Sequence, residues 1–166
     1  MTQETVLIEH MGQLIQYIKN PIKGVRIIIG FTSLARMNSI LQKDLTKTLG
    51  TEINGHLMLA SDFLRNPDLD IGNWDVSRVT TMKYTFANAT GFDRDISKWD
   101  TANVTSMVHM FAWADDFNQP LDNWNTASLV SVKGMLQNSA VCEEFIPERL
   151  RAIEEKDALL YEYQKE

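Results

Sequence analysis

The chain has 166 residues, of which 44% are hydrophobic and 23% charged, with a net charge of −6 and one cysteine, Cys142. That balance excludes a disordered chain, the length allows one domain with a sizeable core, and a lone cysteine excludes an intrachain disulfide framework and fits a reducing compartment. Residues 1–61 hold six basic and four acidic side chains and residues 62–166 ten and eighteen, so the distal part, at −8 against +2, repels phosphate backbones and speaks against direct nucleic-acid binding.

The N-terminal stretch "MTQETVLIEHMGQLIQYIKN" carries acids and polar groups throughout, without the basic start and apolar run of an export leader. No apolar run reaches the ~18 residues of a membrane span. A cytoplasmic protein is therefore expected. Leu7, Met11, Leu14 and Ile18 follow helical spacing and predict a helix from residue 3 to 19, ending before Asn20-Pro21. "GVRIIIGF" predicts a short buried strand. "TSLARMNSILQKDLTKTL" places Leu34, Met37, Leu41 and Leu45 on one helical face, with Thr32 or Ser33 as cap and Gly50 as stop. "HLMLA" predicts the next strand, because Leu57 lies 25 residues before Met82.

The same interval governs the chain from Ile71 onward. Trp74, Trp99 and Trp124 recur every 25 residues, and other columns keep step: Val79, Val104 and Leu129; Met82, Met107 and Val132; Phe86, Phe111 and Leu136; Phe92, Phe117 and Cys142; Ile71, Ile96 and Leu121. A polar column, Asp75, Asp100 and Asn125, comes directly after each tryptophan and suits a turn whose backbone donors need an acceptor. A unit with about five buried side chains cannot close a core alone, so like must stack on like. Trp74, Trp99, Trp124, Met82, Met107, Phe86, Phe111, Phe92 and Phe117 are the expected structural ladder, with Cys142 a small buried apolar member of its column. Segments such as "YTFANA" and "HMFAWA" predict single helical or 3₁₀ turns. "PERLRAIEEKDALLYEYQKE" predicts a capping helix opened by Pro147, with Leu150, Ile153, Leu160 and Tyr163 roughly on one side.

The expected fold is α/β: a short solenoid of stacked turns with a narrow parallel sheet of about five short strands, N-terminal helices and a C-terminal capping helix. Residues 1–56 form the N-terminal cap, 57–142 the repeats and 143–166 the capping helix, all within one domain.

The unit "WDTANVTSMVHMFAWADDFNQPLDNW" closely resembles the BspA-like leucine-rich repeats of bacterial and protist surface proteins, best over residues 71–142. The resemblance implies that the solenoid is right-handed and leucine-rich-repeat-like, a scaffold that binds proteins and surfaces, with no common catalytic residue.

The remaining chemistry is sparse. His10, His56 and His109 lack zinc-ligand spacing, and no phosphate-binding glycine loop occurs, so neither a metal nor a cofactor is expected. The acid pairs Asp115-Asp116 and Asp93/Asp95 have no partner base or nucleophile in the sequence pattern, so no enzyme is expected. Informative positions are those where the repeat fails to repeat. Trp113 stands where the other repeats have Asn88 and Asn138, and Tyr84 and His109 stand where the third has Gly134. Because tryptophan, tyrosine and arginine dominate binding hot spots, the expected partner-binding set is Arg78, Lys83, Tyr84, Val108, His109, Trp113, Asp115 and Asp116. The expected function is that of a non-catalytic protein-binding module, most concretely an intracellular inhibitor or immunity-type protein that blocks a basic partner such as a toxin or nuclease. The alternatives are a fragment of a BspA-like surface adhesin and an assembly protein that forms a homodimer through its edges.

Overall fold

The computed structural model describes residues 3–49, 52, 53, 56, 57, 63–66 and 68–163. The N-terminal third runs β1 (Thr5–Ile8), α1 (Met11–Lys19), β2 (Arg26–Ile29), α2 (Met37–Leu49), β3 (Glu52–Ile53) and β4 (His56–Leu57). Here the single helix expected over 3–19 is corrected. Thr5–Ile8 is instead a strand, pairing in parallel with β2 from Thr5↔Arg26 to Ile8↔Ile29. The sequence TVLI is rich in β-branched residues, and Leu7, assigned to the helix face, is half exposed. Helix α1 begins only where it can be capped: His10 Nδ1 accepts the Gln13 N–H at 3.3 Å, and the Gln13 side chain accepts the Glu9 N–H at 2.6 Å. Leu14, Ile15, Tyr17 and Ile18 then face the core. The strand expected in "GVRIIIGF" is β2, and α2 buries Met37 and Leu41 beside Leu34. The Leu45 side chain lies outside the described residues.

Strand β4 pairs antiparallel with β3 and not with the repeats; residues 58–60 lie outside the described residues. The segment that precedes the first repeat in space is 27–36: Ile28 bridges Asp75, Ser33 bridges Thr81, and the Leu34 and Arg36 N–H groups donate to the Thr81 and Lys83 carbonyls at 3.0 and 2.8 Å.

The expected leucine-rich-repeat-like solenoid with a five-strand parallel sheet is overturned. Among the described residues, strands are confined to the pairs β1·β2 and β3·β4, and successive repeats are joined only by the single parallel bridges Thr81↔Ser106 and Ser106↔Ser131. The reason lies in how the backbone donors divide. In residues 82–88, Met82, Tyr84, Phe86 and Asn88 donate to the carbonyls of Ser106, Val108, Met110 and Ala112 in the next repeat. The alternate donors Thr85, Ala87 and Ala89 close turns within their own repeat, on Met82, Tyr84 and Phe86. A parallel β-ladder needs each bonded residue both to donate to and to accept from the neighbouring strand. The Tyr84 and Phe86 carbonyls instead accept from Ala87 and Ala89 of their own repeat, so no continuous ladder forms. The chain forms a ribbon of linked turns, which is also why no 3₁₀ helix appears there.

Side chains nevertheless lie in register at the 25-residue interval. Trp74 stacks on Trp99 with centroids 6.3 Å apart, Phe86 on Phe111 at 5.6 Å, and Phe92 on Phe117 at 5.7 Å. All nine expected ladder residues are buried and belong to one core cluster, which also holds α1, β2 and Leu150. Each fully buried side chain of this size contributes about 1.5–3 kcal/mol. The indole N–H groups of Trp99 and Trp124 donate one repeat back, to the Ile71 and Ile96 carbonyls at 2.8 and 3.0 Å, so these rings are buried without an orphaned donor. The polar column works as expected: Asp75, Asp100 and Asn125 accept the N–H two residues on, from Ser77, Ala102 and Ala127.

The Phe92/Phe117 column does not continue into Cys142, which is exposed. There the backbone leaves the repeat geometry: the Cys142 N–H donates to Asn118 Oδ1, and a 3₁₀ turn, Glu143–Phe145, leads into α3 (Glu148–Tyr163). Leu150 is buried against the third repeat, and Arg149 donates to the Thr126 and Ala127 carbonyls. Helix α3 thus covers part of that end.

Candidate functional site

Two positions in each turn ribbon require left-handed backbone. At the first, Arg36, Tyr84, His109 and Gly134 have φ of 59°, 56°, 51° and 59°; at the second, Asn88, Trp113 and Asn138 have 58°, 57° and 55°. Glycine and asparagine tolerate this region, whereas other L-residues pay roughly 1–2 kcal/mol to enter it. The turn geometry therefore explains Gly134, Asn88 and Asn138 and leaves Arg36, Tyr84 and Trp113 unexplained by folding.

Register places these residues on top of one another. The Arg36 guanidinium carbon lies 5.7 Å from the Tyr84 ring centroid, Tyr84 stacks on His109 at 5.0 Å, and His109 stacks on Trp113 at 6.4 Å. The His109 imidazole rests against Gly134, where a Cβ would come within 2.6 Å of its ring atoms. Tyr84 and His109 are half-buried, while Trp113 is 41% exposed. The outcome is a continuous ridge of one cation and three rings, rigid because each ring is fixed by its neighbour. His109 Nδ1 is buried and has no hydrogen-bond partner among the described residues.

Of the expected binding set, the structure brings Tyr84, His109 and Trp113 together. Val108 and Lys83 are tied to the ridge through their backbones, accepting from the Tyr84 and Arg36 N–H groups. Lys83 is exposed and Val108 half-buried. Arg78, Asp115 and Asp116 are exposed and take no part in the ring contacts. Arg36 belongs to the ridge and was missed, because it lies outside the 25-residue pattern. Its signal, an L-residue held left-handed beside Tyr84, exists only in the coordinates.

The acids lie elsewhere. An open cleft is lined by Asp70, Asp93, Asp95, Arg94, Lys98 and Gln119, among others. Asp93 Oδ1 already accepts from the Asn118 N–H and from Gln119 Nε2. The Ser97 hydroxyl and backbone N–H hold the Asp95 carboxyl below the usual range. A carboxylate so held remains ionised and is a poor general acid at neutral pH. Among the described residues no group of three or more His, Cys, Asp or Glu is arranged to hold a metal ion, and no helix is long and apolar enough to cross a membrane.

Residues 51–148 match a family model described as Mycoplasma protein of unknown function, DUF285. No curated protein and no solved structure matches the chain.

Proposed function

The chain belongs to the DUF285 family, and from the geometry of the ridge Arg36–Tyr84–His109–Trp113 we propose that it is a non-catalytic protein-binding module with that ridge as its contact surface. One observation carries this reading. Tyr84 and Trp113 occupy left-handed positions that the same chain fills elsewhere with Gly134, Asn88 and Asn138, so large side chains are kept against a conformational cost. Exposed, rigid aromatic and arginine side chains are the groups that dominate protein–protein contacts.

The finer form of the proposal is a cytoplasmic inhibitor or immunity-type protein that blocks a basic partner such as a toxin or nuclease. The net charge of −6 supports it, with the exposed acids Asp93, Asp95, Asp115 and Asp116 steering such a partner toward the surface. A second reading, part of a surface adhesin, is favoured by the likeness of residues 71–142 to BspA-like repeats.

The experiment is affinity capture with the wild-type chain and with Trp113→Asn in parallel. Asparagine already occupies the equivalent positions of the flanking repeats, so the variant keeps its fold. A partner retained by the wild type and lost by the variant supports the ridge; equal capture by both removes it.

A further inference from the structure

The turn ribbons are polar across their width. On the side facing the next repeat they present only N–H groups: Tyr84, Phe86 and Asn88 donate to Val108, Met110 and Ala112 at 2.8–2.9 Å, and His109, Phe111 and Trp113 donate to Lys133, Met135 and Gln137 at 2.8–3.0 Å. On the opposite side they present only the carbonyls that receive those bonds. An ordinary strand edge alternates donors and acceptors, whereas this one does not.

In the third repeat the equivalent donors are Gly134, Leu136 and Asn138. None of the three N–H groups has an acceptor among the described residues, although Met135, Gln137 and Ser139 between and beside them close their own turns as in the earlier repeats. Gly134 and Leu136 are half-buried and Asn138 is exposed. Gly134 lies under the His109 ring, and Asn138 comes directly after Gln137, whose carbonyl takes the Trp113 N–H. Three unpaired donors in register thus border the exposed end of the aromatic ridge.

We propose that the Gly134–Leu136–Asn138 row is a main-chain docking edge that captures a segment of the protein partner whose backbone, wound in the same alternating turns as the repeats, presents a row of carbonyls on one side. The inference rests on the protein-binding function proposed for the ridge and specifies its mode: main-chain bonds fix the segment while His109 and Trp113 contact its side chains. The chain itself identifies the occupant, because in both upstream repeats the same donors are filled by carbonyls of a polypeptide at alternate residues. A second copy supplies that row only in part, since its Lys83 carbonyl, the register equivalent of Val108, already accepts from Arg36. A donor-only edge also discriminates, because an ordinary strand edge offers it repulsive donors at every other position.

The probe is a synthetic peptide of sequence Thr105–Ala114, whose carbonyls at Val108, Met110 and Ala112 accept from the equivalent first-repeat donors Tyr84, Phe86 and Asn88 inside the intact protein. Amide hydrogen exchange of the full chain is followed residue by residue with and without it. At a peptide concentration about ten times Kd, exchange at Gly134, Leu136 and Asn138 is expected to slow about tenfold, while Lys133, Met135 and Gln137 are unchanged. No protection, or protection without the alternation, overturns the edge. Chemical-shift changes confined to the His109 and Trp113 rings would do the same while leaving binding by the ridge intact. Protection that appears without peptide and grows with protein concentration would assign the edge to a second copy and overturn the proposal too.

Discussion

The His109 imidazole lies on the α-carbon of Gly134, with Cε1 and Nδ1 only 2.5 and 2.6 Å from where a Cβ at Gly134 would stand. Two demands meet at that glycine: a φ of +59° and the space for a ring from the preceding repeat. Gly134→Ala is therefore expected to lower stability by about 1–3 kcal/mol, combining left-handed strain with displacement of the imidazole. Chemical denaturation of the single variant and of the double variant with His109→Ala measures it. Truncating the ring should restore part of the loss.

Trp113 and Trp99 are expected to respond oppositely to truncation. Trp113→Asn gives up some ring contact but relieves left-handed strain, so stability should stay within about 1 kcal/mol of wild type. A large fall in Tm would mean that Trp113 is a packing residue and not a contact.

Trp99 is 2% exposed, stacked on Trp74 and bonded through its indole to the Ile71 carbonyl. Trp99→Ala should cost about 3–5 kcal/mol, the usual range for a buried aromatic. Trp99→Phe keeps most of the apolar area but removes one of the two hydrogen bonds to that carbonyl, which still accepts the Trp74 N–H, costing about 0.5–1.5 kcal/mol. Urea midpoints of the two variants, at equal m-value, separate packing from the hydrogen bond.

Asp75 gives the chain a predictable acid response. The Ser77 hydroxyl, then the Ser77 backbone N–H and Arg26, hold its carboxyl below the ordinary range. A folded-state pKa below the unfolded value of about 3.9 adds stability that is fully present above that pH and is lost as pH falls through the folded value. Ser77→Ala should therefore destabilise more at pH 7 than at an acid pH below the folded-state value, where the carboxyl is protonated in both states. Equal losses at the two pH values would assign the effect to the turn alone.

The period of 25 made the ladder legible, since burial acts on side-chain chemistry and repeats with the backbone. All nine ladder residues are buried as expected. Strands in the repeats were inferred from the same period, but among the described residues they are reduced to single bridges, because apolar spacing does not reveal where an amide finds its acceptor. Likewise, Leu7 fits a helix face by spacing, yet pairing with β2 and the His10 cap decide its conformation. Cys142 fits its column by position, but the chain has already left the repeat there. Trp113 and Tyr84 were visible as breaks in the pattern, whereas Arg36 became part of the site only through left-handed geometry that no composition encodes.

Both the ridge and the docking edge depend on polar turn ribbons joined donor to acceptor between repeats. Scalar couplings measured directly across hydrogen bonds test this most directly. Correlations from the amide nitrogens of Tyr84, Phe86 and Asn88 to the carbonyl carbons of Val108, Met110 and Ala112 are predicted, together with intrarepeat correlations from Thr85 to Met82 and Ala87 to Tyr84. Interrepeat correlations at consecutive residues, or none across the 24-residue separation, would contradict the ribbon and with it the ridge and the edge.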